Sequence, residues 1–444
     1  MPYGQQLIAK FKEIAGDVDP IKVYGRVSRG VGLVIEGLGP RANIGDVCQI
    51  RPEGMHDGPA VEAEVIGFKE DKILLMPLGD TMGIGPGSRI TSKGRQRYVR
   101  VGRDLLGRVL DGMGNPIDGR GLIAGQLFPI YNDPINPLDR RRIAAPLDLG
   151  IRAINSLLTC GKGQRVGIMA GSGVGKSVLL GMMARNTSAD VNVIALIGER
   201  GREVREFIEK DLGEEGLKRS VLVVATSDTS PLTRIRGAFV ATAIAEYFRS
   251  RGRDVLFMMD SLTRFAMAQR EIGLTAGEPP TTKGYPPSVF NLLPKLLERT
   301  GTCDGEGTIT GLYTVLVEGD DMNEPIADAA RSILDGHIVL SRDLANHNHY
   351  PAIDILLSIS RLMKDIIGQT QRSCAEKVLD AMAVYKRYED AVTIGAYKEG
   401  TNPRLDHAIR MMERIRPFLR QEIHEKVTIE EGLQQLISLC EGGA

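Results

Sequence analysis

The run Ala170-Gly171-Ser172-Gly173-Val174-Gly175-Lys176-Ser177 places three glycines ahead of a lysine and a serine. It lies between an apolar strand-like stretch, 165–170, and a helical stretch, 178–185. In that order the residues can bind a nucleoside triphosphate. Glycines let backbone N–H groups close around phosphates at a helix N-terminus, Lys176 reaches the β- and γ-phosphates, and the Ser177 hydroxyl meets Mg2+. Gly171, Ser172, Gly173, Val174, Gly175, Lys176, Ser177 and Val178 are therefore the expected nucleotide-binding residues, with Mg2+-ATP as the substrate. Ala170 stands where the first glycine of the strict pattern falls, and its methyl is expected at the strand end, clear of the loop. Hydrolysis needs acids as well. Asp260 and Glu199 close neighbouring apolar runs, at the edge where open α/β sheets bind ligands. Asp260 suits the Mg2+ shell beside Ser177, and Glu199 suits a base that orients or deprotonates the attacking water.

These residues require a sheet to hold them. Apolar runs at 165–170, 191–197, 221–225, 255–260, 308–317 and 337–340 alternate with helical patterns, which predicts a mainly parallel sheet covered by helices. Ahead of it, short β-rich runs at 32–36, 46–51, 61–68 and 72–77, broken by glycine and proline, predict a small closed barrel. Glycine and proline signals over 105–149 predict a connection with little regular structure. Helical patterns at 375–388, 405–418 and 429–440 predict a small helical domain, and 5–14 reads as a short amphipathic helix. The expected organisation is an N-terminal helix over 1–20, a β-barrel over 21–95, an α/β nucleotide domain over 96–365 and a helical domain over 366–444.

Composition narrows the function. The 444 residues carry 56 basic and 56 acidic side chains, so bulk charge gives no case for nucleic acid or an anionic membrane. Basic and acidic residues also balance over 1–95, where aromatics are few, which disfavours an RNA-binding barrel. The cysteines are scattered without a Cys-x-x-Cys spacing, which argues for a reducing cytosol and against a zinc site or disulfide framework. His337, His347 and His349 lack the spacing and accompanying ligands of a metal site, so no zinc, haem or flavin is expected. No apolar run approaches the roughly 20 residues of a spanning helix, so membrane association is expected only through partners.

The run Gly198-Glu199-Arg200-Gly201-Arg202-Glu203-Val204-Arg205-Glu206-Phe207, with Asp260-Ser261-Leu262-Thr263-Arg264 and Gly284-Tyr285-Pro286-Pro287-Ser288, resembles the catalytic subunits of rotary ATPases and their type III export relatives. The resemblance covers about residues 20–444. Within that group, 170–185 and the run 395–403 look most like the flagellum-specific export ATPases. It implies a RecA-like nucleotide domain and makes Glu199 the catalytic carboxylate and Arg200 a partner of the γ-phosphate region. By the same resemblance Arg361 is an arginine finger that enters the neighbouring subunit's site, and Tyr350 stacks on adenine. A cytoplasmic homohexamer at the flagellar export gate follows, with a regulator on the N-terminal helix, a central coiled-coil stalk and chaperone–substrate complexes as partners. Three alternatives stand beside this reading: a virulence-type injectisome ATPase, a ring RNA translocase and a non-catalytic ring subunit.

Overall fold

The computed structural model describes residues 23–53, 60–94, 98–317, 319 and 321–441. The amphipathic helix expected over 5–14 lies outside them. The chain divides into two units, Met1–Gln96 and Arg97–Ala444.

Alternating burial builds the first unit. Strands β1 (Gly25–Val31), β2 (Val34–Leu38), β3 (Val47–Arg51), β4 (Val61–Lys69), β5 (Lys72–Pro77) and β6 (Arg89–Gly94) close into a barrel in the order β1-β2-β5-β4-β3-β6. Successive side chains in a strand point to opposite faces. Val27, Ile35, Cys48, Ile50, Ala63, Val65, Ile73, Leu75 and Ile90 thus share one interior. The expected strand at 32–36 begins later, because Gly32 has φ 57° and turns the chain between Val31 and its partner Val34. Strands β1 and β6 were not among the runs singled out in the sequence. Their polar, largely outward-facing residues hide the few apolar ones that reach the core.

In the second unit, β7 (Tyr98–Val101) pairs with β9 (Gln126–Pro129), and β8 (Val109–Asp111) joins the main sheet. The expectation of little regular structure over 105–149 is corrected to that extent: β8 is too short to give a periodic signal. The sheet continues with β10 (Arg165–Ala170), β11 (Val191–Ile197), β12 (Ser220–Ala225), β13 (Asp254–Asp260), the short β14 (Gly301–Thr302), β15 (Thr308–Leu316), β16 (Gly336–Leu340) and β17 (Ile353–Ser360). Its order is β17-β16-β10-β15-β13-β11-β12-β8, parallel throughout except for the edge strand β17; β14 pairs antiparallel with β15 off this path. Strands β11 and β12 are buried along their whole length, as expected of a sheet covered on both faces.

Helices Gln369–Thr393, Pro403–Leu419 and Ile429–Glu441 follow the sheet. The second starts at Asn402, whose side chain accepts from the amides of Arg404 and Leu405 ahead of a proline suited to the first turn. Val378, Met411, Ile415 and Leu436 belong to the same apolar cluster as Ile168, Leu180 and Ile194. One core therefore backs both the sheet and these helices.

Candidate active site

Sheet order decides which strand ends meet. The loop after β10 leads into the helix Lys176–Asn186, and β13 and β11 end two and three strands away. Gly173 (φ 79°) and Gly175 (φ 89°) hold left-handed conformations that other residues adopt only with strain. No side chain caps the helix start at Gly175, so its first N–H groups are left for an anion. Val174 turns the other way, into the core, while Ser172, Gly173 and Ser177 line a cleft of about 900 Å3. Cations outnumber acids around that cleft, as suits a polyphosphate.

Three expected residues converge at its base. The Lys176 ammonium lies 2.5 Å from Asp260 Oδ1 and 3.7 Å from Glu199 Oε1. Burial pulls the Lys176 pKa down, but the two carboxylates outweigh it and hold the group above its ordinary value. Asp260 is 4% exposed. Burial, and then the charge of Asp260, push Glu199 up to about 7, against the relief that Lys176 supplies. A hydrogen bond with Glu199 in turn lowers Glu203. Glu199 therefore sits near the pKa of an effective general base at neutral pH.

Among the described residues no group of three or more His, Cys, Asp or Glu side chains could hold a metal ion. The cleft instead offers the exposed Ser177 hydroxyl beside a phosphate cradle, with the buried Asp260 carboxylate just behind it against Lys176. That donor set fits a cation that arrives with the triphosphate, which Mg2+ does, keeping phosphate oxygens and water among its ligands.

Of the remaining expected residues, Arg200 and Tyr350 lie near the phosphate loop and Arg361 does not. Arg200 lines the cleft but is exposed and pairs with Glu203 at 3.4 Å. Tyr350, 42% exposed, lies with ring carbons 3.3 and 3.4 Å from where a Cβ on Gly175 would stand. Arg361 is remote from the loop. Strand β17 runs antiparallel, with Ser360 opposite Gly336 at the start of β16, so Arg361 follows at the N-terminal edge of the parallel strands. Its amide donates to the Asp335 carbonyl and its guanidinium to the Arg331 carbonyl. Lys176 stands at the opposite, C-terminal edge. A strand of five or six residues spans roughly 17–20 Å, so Arg361 cannot serve the phosphate loop of its own chain.

Three contributors were not singled out from sequence. Arg264 lines the cleft with a buried Nε that has no hydrogen-bond partner, and its Nη1 meets only the Met267 sulfur, at 3.9 Å. Arg342 donates to the Ser172 carbonyl at 3.3 Å. Thr314 donates to Asp260 Oδ1 at 2.7 Å. The sequence shows Arg264 one turn after Asp260, a usable signal; nothing local ties Thr314 or Arg342 to the loop.

Comparison with known proteins bears out the order of the domains. Residues 27–94 match the ATP synthase alpha/beta family beta-barrel domain and 150–360 its nucleotide-binding domain. Residues 367–438 match the T3SS EscN ATPase C-terminal domain. The flagellum-specific ATP synthase of Bacillus subtilis is 55% identical over 95% of this chain and 96% of its own length. The type 3 secretion system ATPase of Xanthomonas euvesicatoria is 50% identical, over 94% of each chain. The structure of the assembled ATPase EscN from the enteropathogenic E. coli type III secretion system superposes with a TM-score of 0.87 at 45% identity, covering 94% of this chain and 99% of that one. EscN has also been solved in complex with its central stalk EscO, and that structure superposes with a TM-score of 0.85 at 44% identity over the same shares. Matched along nearly its whole length, the chain belongs to the family of flagellum-specific ATP synthases, P-loop ATPases of type III export that hydrolyse ATP.

Proposed function

We propose that the chain works as a homohexameric ring at the cytoplasmic face of the flagellar export gate, where hydrolysis of Mg2+-ATP drives delivery and unloading of export substrates. Lys176 and the loop amides bind the phosphates, Ser177 and Asp260 meet the substrate's Mg2+, and Glu199 activates water. Arg200 acts beside the γ-phosphate, and Tyr350 takes the adenine. Arg361 completes the site of the next subunit, where such a finger raises the rate by roughly 10³–10⁵. Its position at the sheet edge opposite Lys176 is the observation that supports the ring, since it lies too far from the phosphate loop of its own chain to act there. The complex of EscN with its central stalk supports a central stalk as partner, for which we propose a coiled coil. A regulator on the N-terminal segment, the export gate and chaperone–substrate complexes complete the proposed set, and they supply any membrane attachment. No helix among the described residues is long and apolar enough to cross a membrane.

The test is ATPase rate against protein concentration, for the wild type and Arg361→Ala. Cooperative activation that disappears in the variant is the expected result. Specific activity that is independent of concentration, or an Arg361→Ala enzyme with wild-type cooperativity, would sink the shared site.

A further inference from the structure

Strand β15 is buried along almost its whole length, and the polar Thr314 near its end is fully so. A hydroxyl in such a place is costly unless it is hydrogen-bonded. Two acceptors lie within reach, Asp260 Oδ1 at 2.7 Å and the Met259 carbonyl at 3.3 Å. A threonine has one proton to give. The carboxylate is nearer and charged, and hydrogen bonds to ionised acceptors are the shorter and stronger ones, so the proton goes to Asp260. The Thr314 backbone has little freedom to drift, because Thr263 Oγ1 accepts from the Leu316 amide at 2.8 Å and ties the end of β15 to the helix that follows Asp260.

Asp260 Oδ1 thus receives two donors, Lys176 and Thr314. They differ in what nucleotide does to them. Lys176 stands on a flexible stem at the phosphate loop and is needed by the phosphates, whereas Thr314 is sealed within the sheet. We infer that Thr314 is a positioning residue for hydrolysis: it keeps the Asp260 carboxylate aimed at the substrate's Mg2+ once Lys176 has left for the phosphates. The inference rests on the reading of Asp260 given above and adds a residue of a different strand to it.

The test uses full-length Thr314→Val, which keeps the shape and removes the donor, with Thr314→Ser as the conservative variant and Asp260→Asn as the control. Three quantities are measured: kcat and KM with Mg2+-ATP, the affinity for a fluorescent ATP analogue with and without Mg2+, and thermal stability. Thr314→Val should lower kcat about tenfold, the order expected from misdirecting one charged hydrogen bond, with KM changed by less than about threefold. The tightening of analogue binding by Mg2+ should shrink while Mg2+-free affinity stays within about twofold. Thr314→Ser should recover both. A Thr314→Val enzyme with wild-type kcat and wild-type Mg2+ response would overturn the inference. So would a Thr314→Ser enzyme as impaired as Thr314→Val, which would mark a packing role. Asp260→Asn separates the layers: if it too hydrolyses normally, the reading of Asp260 fails; if it is inactive while Thr314→Val is normal, only the role of Thr314 fails.

Discussion

Replacing Glu199 by glutamine should abolish hydrolysis and stabilise the fold, with a pH dependence of known sign. Burial and then Asp260 raise this carboxyl from an ordinary 4.5 to about 7. In the unfolded chain Glu199 ionises above 4.5; in the fold it stays protonated until about pH 7. Its contribution to stability is therefore fully present below pH 4.5 and is lost as pH rises through 7. The gap between the two values corresponds to about 3 kcal/mol at most, since one pKa unit is about 1.4 kcal/mol. Glutamine carries no charge at any of these pH values and keeps the volume. Glu199→Gln should then match the wild type near pH 4.5 and exceed it by up to about 3 kcal/mol at pH 8. For a unit as large as Arg97–Ala444, at about 1–2 °C per kcal/mol, that is roughly 3–6 °C in Tm. Melting curves of both proteins without nucleotide, taken at intervals from pH 5 to pH 8.5, measure the difference, and phosphate release measures the loss of turnover. In the wild type kcat/KM, which reports the free enzyme, should climb through pH 7 as the base form appears. A variant that hydrolyses ATP at the wild-type rate, or whose Tm advantage does not grow with pH, would refute both the role and its electrostatic origin.

Lys176→Met should weaken ATP binding at least about a hundredfold, read by titration with a fluorescent analogue, because it removes the phosphate-binding ammonium. It also leaves Asp260 and Glu199 facing each other without a cation, so Glu199 should titrate higher still in this variant. Away from the site, Arg299 is 1% exposed and donates to both oxygens of Glu246, at 2.8 and 2.6 Å. Glu246→Gln strips the charge from one side of this buried pair and should cost about 3–5 kcal/mol in urea denaturation, with KM for ATP unchanged.

The residues that lie close together in sequence were the legible ones. The phosphate loop declares itself because glycine spacing, Lys176 and Ser177 must all occur within one turn of chain. Glu199 and Asp260 were legible by a weaker rule, that acids at the ends of buried strands face the ligand edge; their meeting at Lys176 follows from β11 and β13 being neighbours. Thr314 was not legible, because its partner is 54 residues away and one of three threonines in a strand looks like any β-branched residue. Strand β8 escaped for another reason, since three residues cannot display a period and it is the sheet that makes Val109–Asp111 a strand. In the barrel, β1 and β6 are mostly polar, so their pattern is carried into the core by Val27 and by Ile90 alone.

The same geometry explains why the substrate should be Mg2+-ATP rather than ATP alone. Without nucleotide, Lys176 stands against both Asp260 and Glu199, which are 6% and 16% exposed at the side chain. A triphosphate that draws the ammonium away leaves two buried acids close together and unpaired, and a buried charge stripped of its partner costs about 3–5 kcal/mol. Glu199 can relieve part of this by taking a proton, since it already titrates at about 7, but a protonated Glu199 cannot serve as the base. A cation brought in with the phosphates would restore positive charge beside Asp260 and let Glu199 stay ionised. On this argument a cation held at Asp260 would do more than neutralise the triphosphate: it would replace the charge of Lys176 there and favour the ionised Glu199 that hydrolysis requires.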